Sequence, residues 1–180
     1  RTKVKNGRGV IMENNQLKIS EVVRPDTIDL ELNGVENKTQ AINYLADLLM
    51  NAGLLFDKEE FVQSVYDREA MGPTYMEHFI AIPHGKSDGV KEAGIAFGRS
   101  AEGFLYETAQ GGGIAKFVFL LAIPNRMSGD CYMAVLARLA RLLVHEEFRN
   151  DLATATDYQD VIDAFITGEH LLEDLDQTNS

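Results

Sequence analysis

An α/β fold, with a mixed central β-sheet sandwiched between helical layers, is the class this 180-residue sequence predicts, and three observations predict it. Apolar residues recur at helical spacing over two stretches of the first half and again beyond Gly129. The run KFVFLLAI, Lys116 to Ile123, is apolar after its first residue with no alternation, as in a strand covered on both faces. Helical and strand-like patterns also interleave along the chain, which favours one sheet with helices above and below it.

Taken in order, residues 1–16 are polar, contain Gly7 and Gly9 and show no sustained period, so they read as a linker or upstream remnant. Residues 17–168 form the expected domain. Ile28, Leu30 and Leu32 alternate in TIDLEL, the mark of a half-buried strand, and Asn33-Gly34 ends it with turn chemistry. From Lys38 to Met50, Ala41, Ile42, Leu45, Leu48 and Leu49 trace one face of a helix that Gly53 stops. Asp57 heads a second helix, in which Phe61, Val62, Val65 and Tyr66 share a face before Gly72-Pro73 ends it. Phe79 to Ile82, Ala93 to Gly98 and Lys116 to Ile123 are strand-like. Tyr132, Met133, Val135, Leu136, Leu139, Leu142 and Leu143 repeat at helical period, and EEFRNDLATA and TDYQDVIDAFI are two shorter helical segments. Residues 169–180 read as an acidic tail, frayed over EDLDQTNS.

Composition narrows the function. Asp and Glu outnumber Lys and Arg 28 to 17, for a net charge of −11, which argues against a nucleic-acid binder and suits a basic protein partner. One cysteine, Cys131, allows neither an internal disulfide framework nor a cysteine-based zinc site, and fits a reducing compartment. Apolar runs fall short of the ~20 residues that a membrane-spanning helix needs.

The most informative stretch is Pro73 to Arg99. Within it, Pro83 fixes its own φ and holds Ile82 extended, so His84 stands at a strand end, and Gly85 removes a Cβ that would crowd the imidazole. A neutral imidazole is a competent nucleophile near neutral pH. On residue type alone the same histidine fits an ordinary turn position.

DREAMGPTYMEHFIAIPHGKSDGVKEAGIAFGRS, followed by FVFLLAIP and then LARLARLLVHEEFRNDL, resembles the enzyme IIA domains of the mannitol/fructose class of bacterial sugar phosphotransferase systems. The resemblance runs from Leu17 to Thr167 and implies a cytoplasmic phosphocarrier without a cofactor. Such a carrier accepts phosphate from the protein HPr, donates it to a cysteine of enzyme IIB, and docks to a membrane permease without inserting. It also implies that His84 carries the phosphoryl on Nε2, with Nδ1–H held by a backbone carbonyl, and that Arg68 and Thr74 bind phosphate. The family's second histidine, at the start of the helix after the long strand, is replaced here by Tyr132, a neutral donor to a phosphate oxygen. Arg68 also fits a surface helix flanked by acids, and Tyr132 an aromatic packed into the core. Loss of that histidine leaves open a regulatory module that keeps the fold and signals by docking.

Other residues carry less. His78, His145 and His170 read as surface, and Cys131 as a half-buried thiol. Gly111-Gly112-Gly113 lacks the Lys-Ser/Thr of a phosphate loop and precedes a strand, so it reads as a turn. Spacings that would ligate a metal are lacking.

Overall fold

Short polar side chains start the helices where the apolar periods begin. Asn37 accepts from the N–H of Gln40, Asp57 from that of Glu60, Ser128 from that of Cys131 and Asp157 from that of Asp160. The computed structural model describes residues 18–179. Along the chain these form α1 (Ile19–Val22), β1 (Val23–Asp29), α2 (Lys38–Asn51), α3 (Lys58–Met71), β2 (Tyr75–Met76), β3 (Ile80–Ala81), β4 (His84–Ser87), β5 (Gly94–Tyr106), β6 (Gly113–Pro124), α4 (Gly129–Val144), α5 (Glu146–Thr154) and α6 (Tyr158–Thr178).

The sheet is mixed, in the order β1-β5-β6-β3-β2. β5 and β6 form a long antiparallel hairpin, and β1 lies parallel to β5. Its turn uses Gly112 at φ 85°, where a Cβ would stand 2.0 Å from the carbonyl oxygen of Tyr106, so the glycine run is a turn rather than a ligand loop. The other edge of β6 takes two short parallel strands in succession: β3 pairs Ile80 with Phe117, and β4 pairs His84 with Leu121.

β6 explains its own lack of alternation. Val118, Leu120 and Ala122 face α2 and α3, whereas Phe119, Leu121 and Ile123 face α1, α4, α5 and α6. Both faces are dry, so both parities are apolar. The predicted layered fold is present.

Two details differ from the sequence reading. The first strand lies earlier than TIDLEL suggests, over Val23–Asp29, and its fully buried residue near the end is Thr27, whose hydroxyl donates to the Ile95 carbonyl. The tail set off at residue 169 is instead the second half of α6, because Leu172 continues the apolar stripe of Val161 and Phe165 into the core. Within it Glu169 is also buried: it accepts from the N–H groups of Ile19 (3.2 Å) and Ser20 (2.8 Å) and pairs with Arg138 at 3.6 Å. That carboxylate ties the start of the domain to α4 and α6. The segment 1–16 lies outside the described residues.

Candidate functional site

Pro83 splits one sheet edge into two strands, and the site is built at the split. Having no N–H, proline cannot extend the ladder, yet its carbonyl still accepts from Leu121 N–H at 3.0 Å, so pairing resumes at once. His84 therefore begins β4 rather than ending the preceding strand. Its Nδ1 lies 2.9 Å from the carbonyl oxygen of Ile82. A carbonyl only accepts, so Nδ1 carries the proton and Nε2 is left with its lone pair.

His84 is 6% exposed, more enclosed than a histidine at an open strand end. Burial lowers its pKa, Arg68 acts the same way, and the Ile82 carbonyl and Glu69 oppose them. The ring is thus neutral at neutral pH, with the charges of Arg68 and Glu69 acting on it in opposite directions. Gly85 has a different reason from the one the sequence suggests. A Cβ there would lie 2.2 Å from Ser64 Oγ and 2.9 Å from a Val65 methyl carbon, so glycine lets β4 seat against α3 and does not clear space for a ligand.

Two predicted partners converge on this ring. Tyr132, in the first turn of α4, sets its ring 5.7 Å from that of His84, centroid to centroid, tilted by 52°. Burial pushes its hydroxyl up while Arg68, facing it, pulls down, so Tyr132 is a neutral phenol. Arg68 comes from the last turn of α3, where Nη1 donates to the Gly72 carbonyl at 3.0 Å and holds the guanidinium near both rings. His84, Arg68 and Tyr132 thus assemble from three elements distant in sequence.

Thr74 takes another place. Its backbone carbonyl accepts from Ile82 N–H at 3.0 Å, which anchors the strand leading to His84. Its one hydroxyl proton goes to Glu69, and Tyr106 OH lies 3.1 Å from the same oxygen. Thr74 is therefore engaged behind the site, with no free donor to offer a phosphate. Glu69, Lys38 and Tyr106, which the sequence reading passed over, complete this back layer: Lys38 Nζ lies 3.5 Å from Glu69 Oε2 and 5.4 Å from the Tyr106 ring centroid. A signal was present for Glu69, a charge four residues after Val65 on the apolar stripe of α3.

The remaining candidates lie elsewhere. His78 is exposed in the β2–β3 turn, His170 is exposed on α6, and His145 joins α4 to α5. Cys131 is half-buried, and its N–H goes to the Ser128 cap. Among the described residues there is no group of His, Cys, Asp and Glu that could hold a metal ion, and no helix long and apolar enough to cross a membrane.

Comparison with known proteins places the chain in a family. Residues 21–167 match the family described as phosphoenolpyruvate-dependent sugar phosphotransferase system, EIIA 2. A fructose-specific EIIA component of Haloferax volcanii is 34% identical over 145 residues, covering 81% of this chain and 92% of its own length. A fructose-specific EIIABC component of Bacillus subtilis is 34% identical over 147 residues, 82% of this chain but 23% of its own. The chain thus spans less than a quarter of the length of such EIIABC relatives. Among solved structures, the nitrogen regulatory protein IIA-Ntr of Neisseria meningitidis superposes with a TM-score of 0.71 at 26% identity, over 82% of this chain and 98% of that one. The mannitol enzyme IIA of Escherichia coli, in complex with phosphorylated enzyme IIB, does so with a TM-score of 0.64 at 25% identity, over 81% and 99%. The family match takes in all six strands and α2 to α5, and the protein belongs to the EIIA 2 family of the phosphoenolpyruvate-dependent sugar phosphotransferase system.

Proposed function

We propose that the chain is a cytoplasmic phosphocarrier that accepts a phosphoryl group from phospho-HPr on Nε2 of His84 and passes it to a cysteine of enzyme IIB, for uptake of a mannitol- or fructose-type sugar. The observation that carries the reading is the fixed tautomer of His84: Nδ1–H bound to the Ile82 carbonyl leaves Nε2 as a neutral nucleophile beside Arg68. The structural likeness to an enzyme IIA seen with phosphorylated enzyme IIB supports that acceptor, and the fructose-specific names of the relatives support the sugar class.

The steps follow from that arrangement. The Nε2 lone pair attacks phosphorus in line as the donor's P–N bond breaks, and that electron pair returns to the donor nitrogen. A thiolate of enzyme IIB then attacks phosphorus, and the P–N pair returns to Nε2. Donor and acceptor are both reactive phosphates, so positioning and charge supply most of the catalysis. Arg68 neutralises the phosphoryl oxygens and Tyr132 donates its phenol proton to one of them. Thr74 supports this indirectly, its carbonyl anchoring the strand that leads to His84.

The test is incubation with enzyme I, HPr and phosphoenolpyruvate, followed by intact-mass measurement. One acid-labile phosphoryl is expected on the wild type and none on His84→Gln, while Tyr132→His labels as fast or faster because a second imidazole adds positive charge. Normal labelling of His84→Gln overturns the site. A second reading, a regulatory module that docks without phosphotransfer, draws on the missing second histidine and on the likeness to a nitrogen regulatory protein. An unlabelled wild type beside an active control selects it.

A further inference from the structure

β4 is an edge strand with a bare outer side. It pairs with β6 alone, and the Leu121 N–H donated to the Pro83 carbonyl sets the phase of that ladder. In a parallel pair every second residue turns both of its backbone groups to the partner strand, so Gly85 faces β6 while His84 and Lys86 direct N–H and C=O outward. Among the described residues these outward groups have no hydrogen-bond partner. A row of unpaired backbone groups is a template for another strand.

An open groove runs along this edge. Glu60, Gln63 and Asp67, on one face of α3, form one wall, and Lys86 and Asp88 form the other. Gly85 seats against Ser64 and Val65, so α3 covers one face of β4, and Lys86, next in the alternation, points to the opposite face. Three carboxylates thus line the groove against one ammonium, and among the described residues none of the four has an ion-pair partner. The groove is acidic on the α3 side, and its strand begins at His84.

We propose that this edge is a docking site for an extended, lysine- or arginine-bearing segment of a partner protein, which adds to β4 as a further strand beginning beside His84. The segment's backbone completes the hydrogen bonds of His84 and Lys86, and that ladder supplies affinity. Side chains of an added strand alternate between faces, so every second one meets the carboxylates of α3, which favour a cation there. The residues between them share the face of Lys86, which favours neutral or acidic side chains. A second copy of β4 is a poor occupant, because Lys86 would lie against Lys86 and two acidic grooves on chains of net charge −11 repel each other. The ladder and the charge match act whether or not a phosphoryl group is transferred.

The probe is a short synthetic peptide of alternating lysine and threonine, added to the full chain and followed by backbone 15N NMR and amide hydrogen exchange. Saturable shifts are expected at the His84, Lys86 and Asp67 amides, with exchange at His84 and Lys86 slowed several-fold. Glu60→Gln and Asp67→Asn are each expected to weaken binding several-fold. A peptide of the same charge, N-methylated at every second residue so that it cannot complete the ladder, is expected not to bind. Lys86→Pro removes one outward N–H at an edge position that tolerates proline, and is expected to abolish binding; the N-methylated peptide keeps the test decisive if that variant misfolds. Equal binding of the two peptides, shifts without slowed exchange at Lys86, or no binding at all overturns the added strand. Equal binding of a peptide with glutamate in place of lysine overturns the basic occupant, and protection of Lys86 that grows with protein concentration alone replaces it with a second copy. Loss of phosphoryl transfer bears on the carrier reading and leaves this one standing.

Discussion

Glu69 and Glu169 hold the same place on their helices and have opposite surroundings. Phe61 and Val65 precede the first at four-residue intervals, and Val161 and Phe165 precede the second. Their side chains are 5% and 4% exposed. Glu169 meets two backbone N–H groups at the start of α1 and the guanidinium of Arg138, so both of its oxygens have partners. Glu69 has the hydroxyls of Thr74 and Tyr106, an ammonium at 3.5 Å, and an Oε2 left without a hydrogen bond. A buried carboxylate whose valences are filled is joinery. One left partly unfilled carries a cost that packing has not removed, and the sequence pattern alone does not separate the two cases.

The largest effect that tests this contrast is on stability. Glu169→Ala strands Arg138 and two N–H groups, and urea unfolding is expected to give a loss of about 2–4 kcal/mol, with labelling of the folded fraction unchanged. Glu69→Gln keeps the shape and the Thr74 contact, so its loss is expected to be about 1 kcal/mol or less. If the two substitutions cost the same, the contrast fails, because Glu69 is then as structural as Glu169.

Gly85→Ala is expected to have an intermediate effect. The added methyl meets Ser64 and Val65, one turn before Glu69 on α3, and overpacking of this kind costs about 1–3 kcal/mol. By pushing α3 from β4 it also shifts Arg68 and Glu69 relative to His84, so slower labelling accompanies the lower unfolding midpoint. A stability loss with unchanged labelling would show that the site tolerates movement of α3.

The same contrast marks what was legible in the sequence. Helix starts at Asn37 and Asp57 could be read because a cap bonds to N–H groups three residues away, a local event. The burial of β6 on both faces was written in its own composition. His84, Arg68 and Tyr132 could be named from motif order, and the fold brings them together. The reasons for Gly85 and Thr74 were not legible, because the atoms that decide them, on Ser64 and Glu69, arrive by tertiary packing. The split of the edge strand at Pro83 was equally hidden, since two- and four-residue strands carry no period of their own and exist by pairing with β6. Glu69 lay between: a charge on an apolar stripe was visible, and what it faced was not.

The smallest expected effect bears on how burial and Glu69 compete at His84. In the unfolded chain the ring titrates near its ordinary 6.5, whereas in the fold burial, seconded by Arg68 and opposed by the Ile82 carbonyl and Glu69, lowers that value. Between the two values the unfolded chain binds a proton that the folded chain refuses, so stability falls as pH drops below about 6.5 and levels off once the folded ring also protonates. Above 6.5 the contribution is complete and flat. His84→Gln has no such ring, so the difference between its urea midpoint and that of wild type, followed from neutral to mildly acidic pH, isolates the term from the carboxylates that titrate in both. Wild type is expected to lose ground against the variant as the pH falls. Combining Glu69→Gln with wild-type His84 is expected to steepen that loss, because the one negative charge favouring the protonated ring is gone. A difference that runs the other way would mean that Glu69 and the carbonyl outweigh burial, leaving His84 charged at a pH where a phosphoryl acceptor has to be neutral.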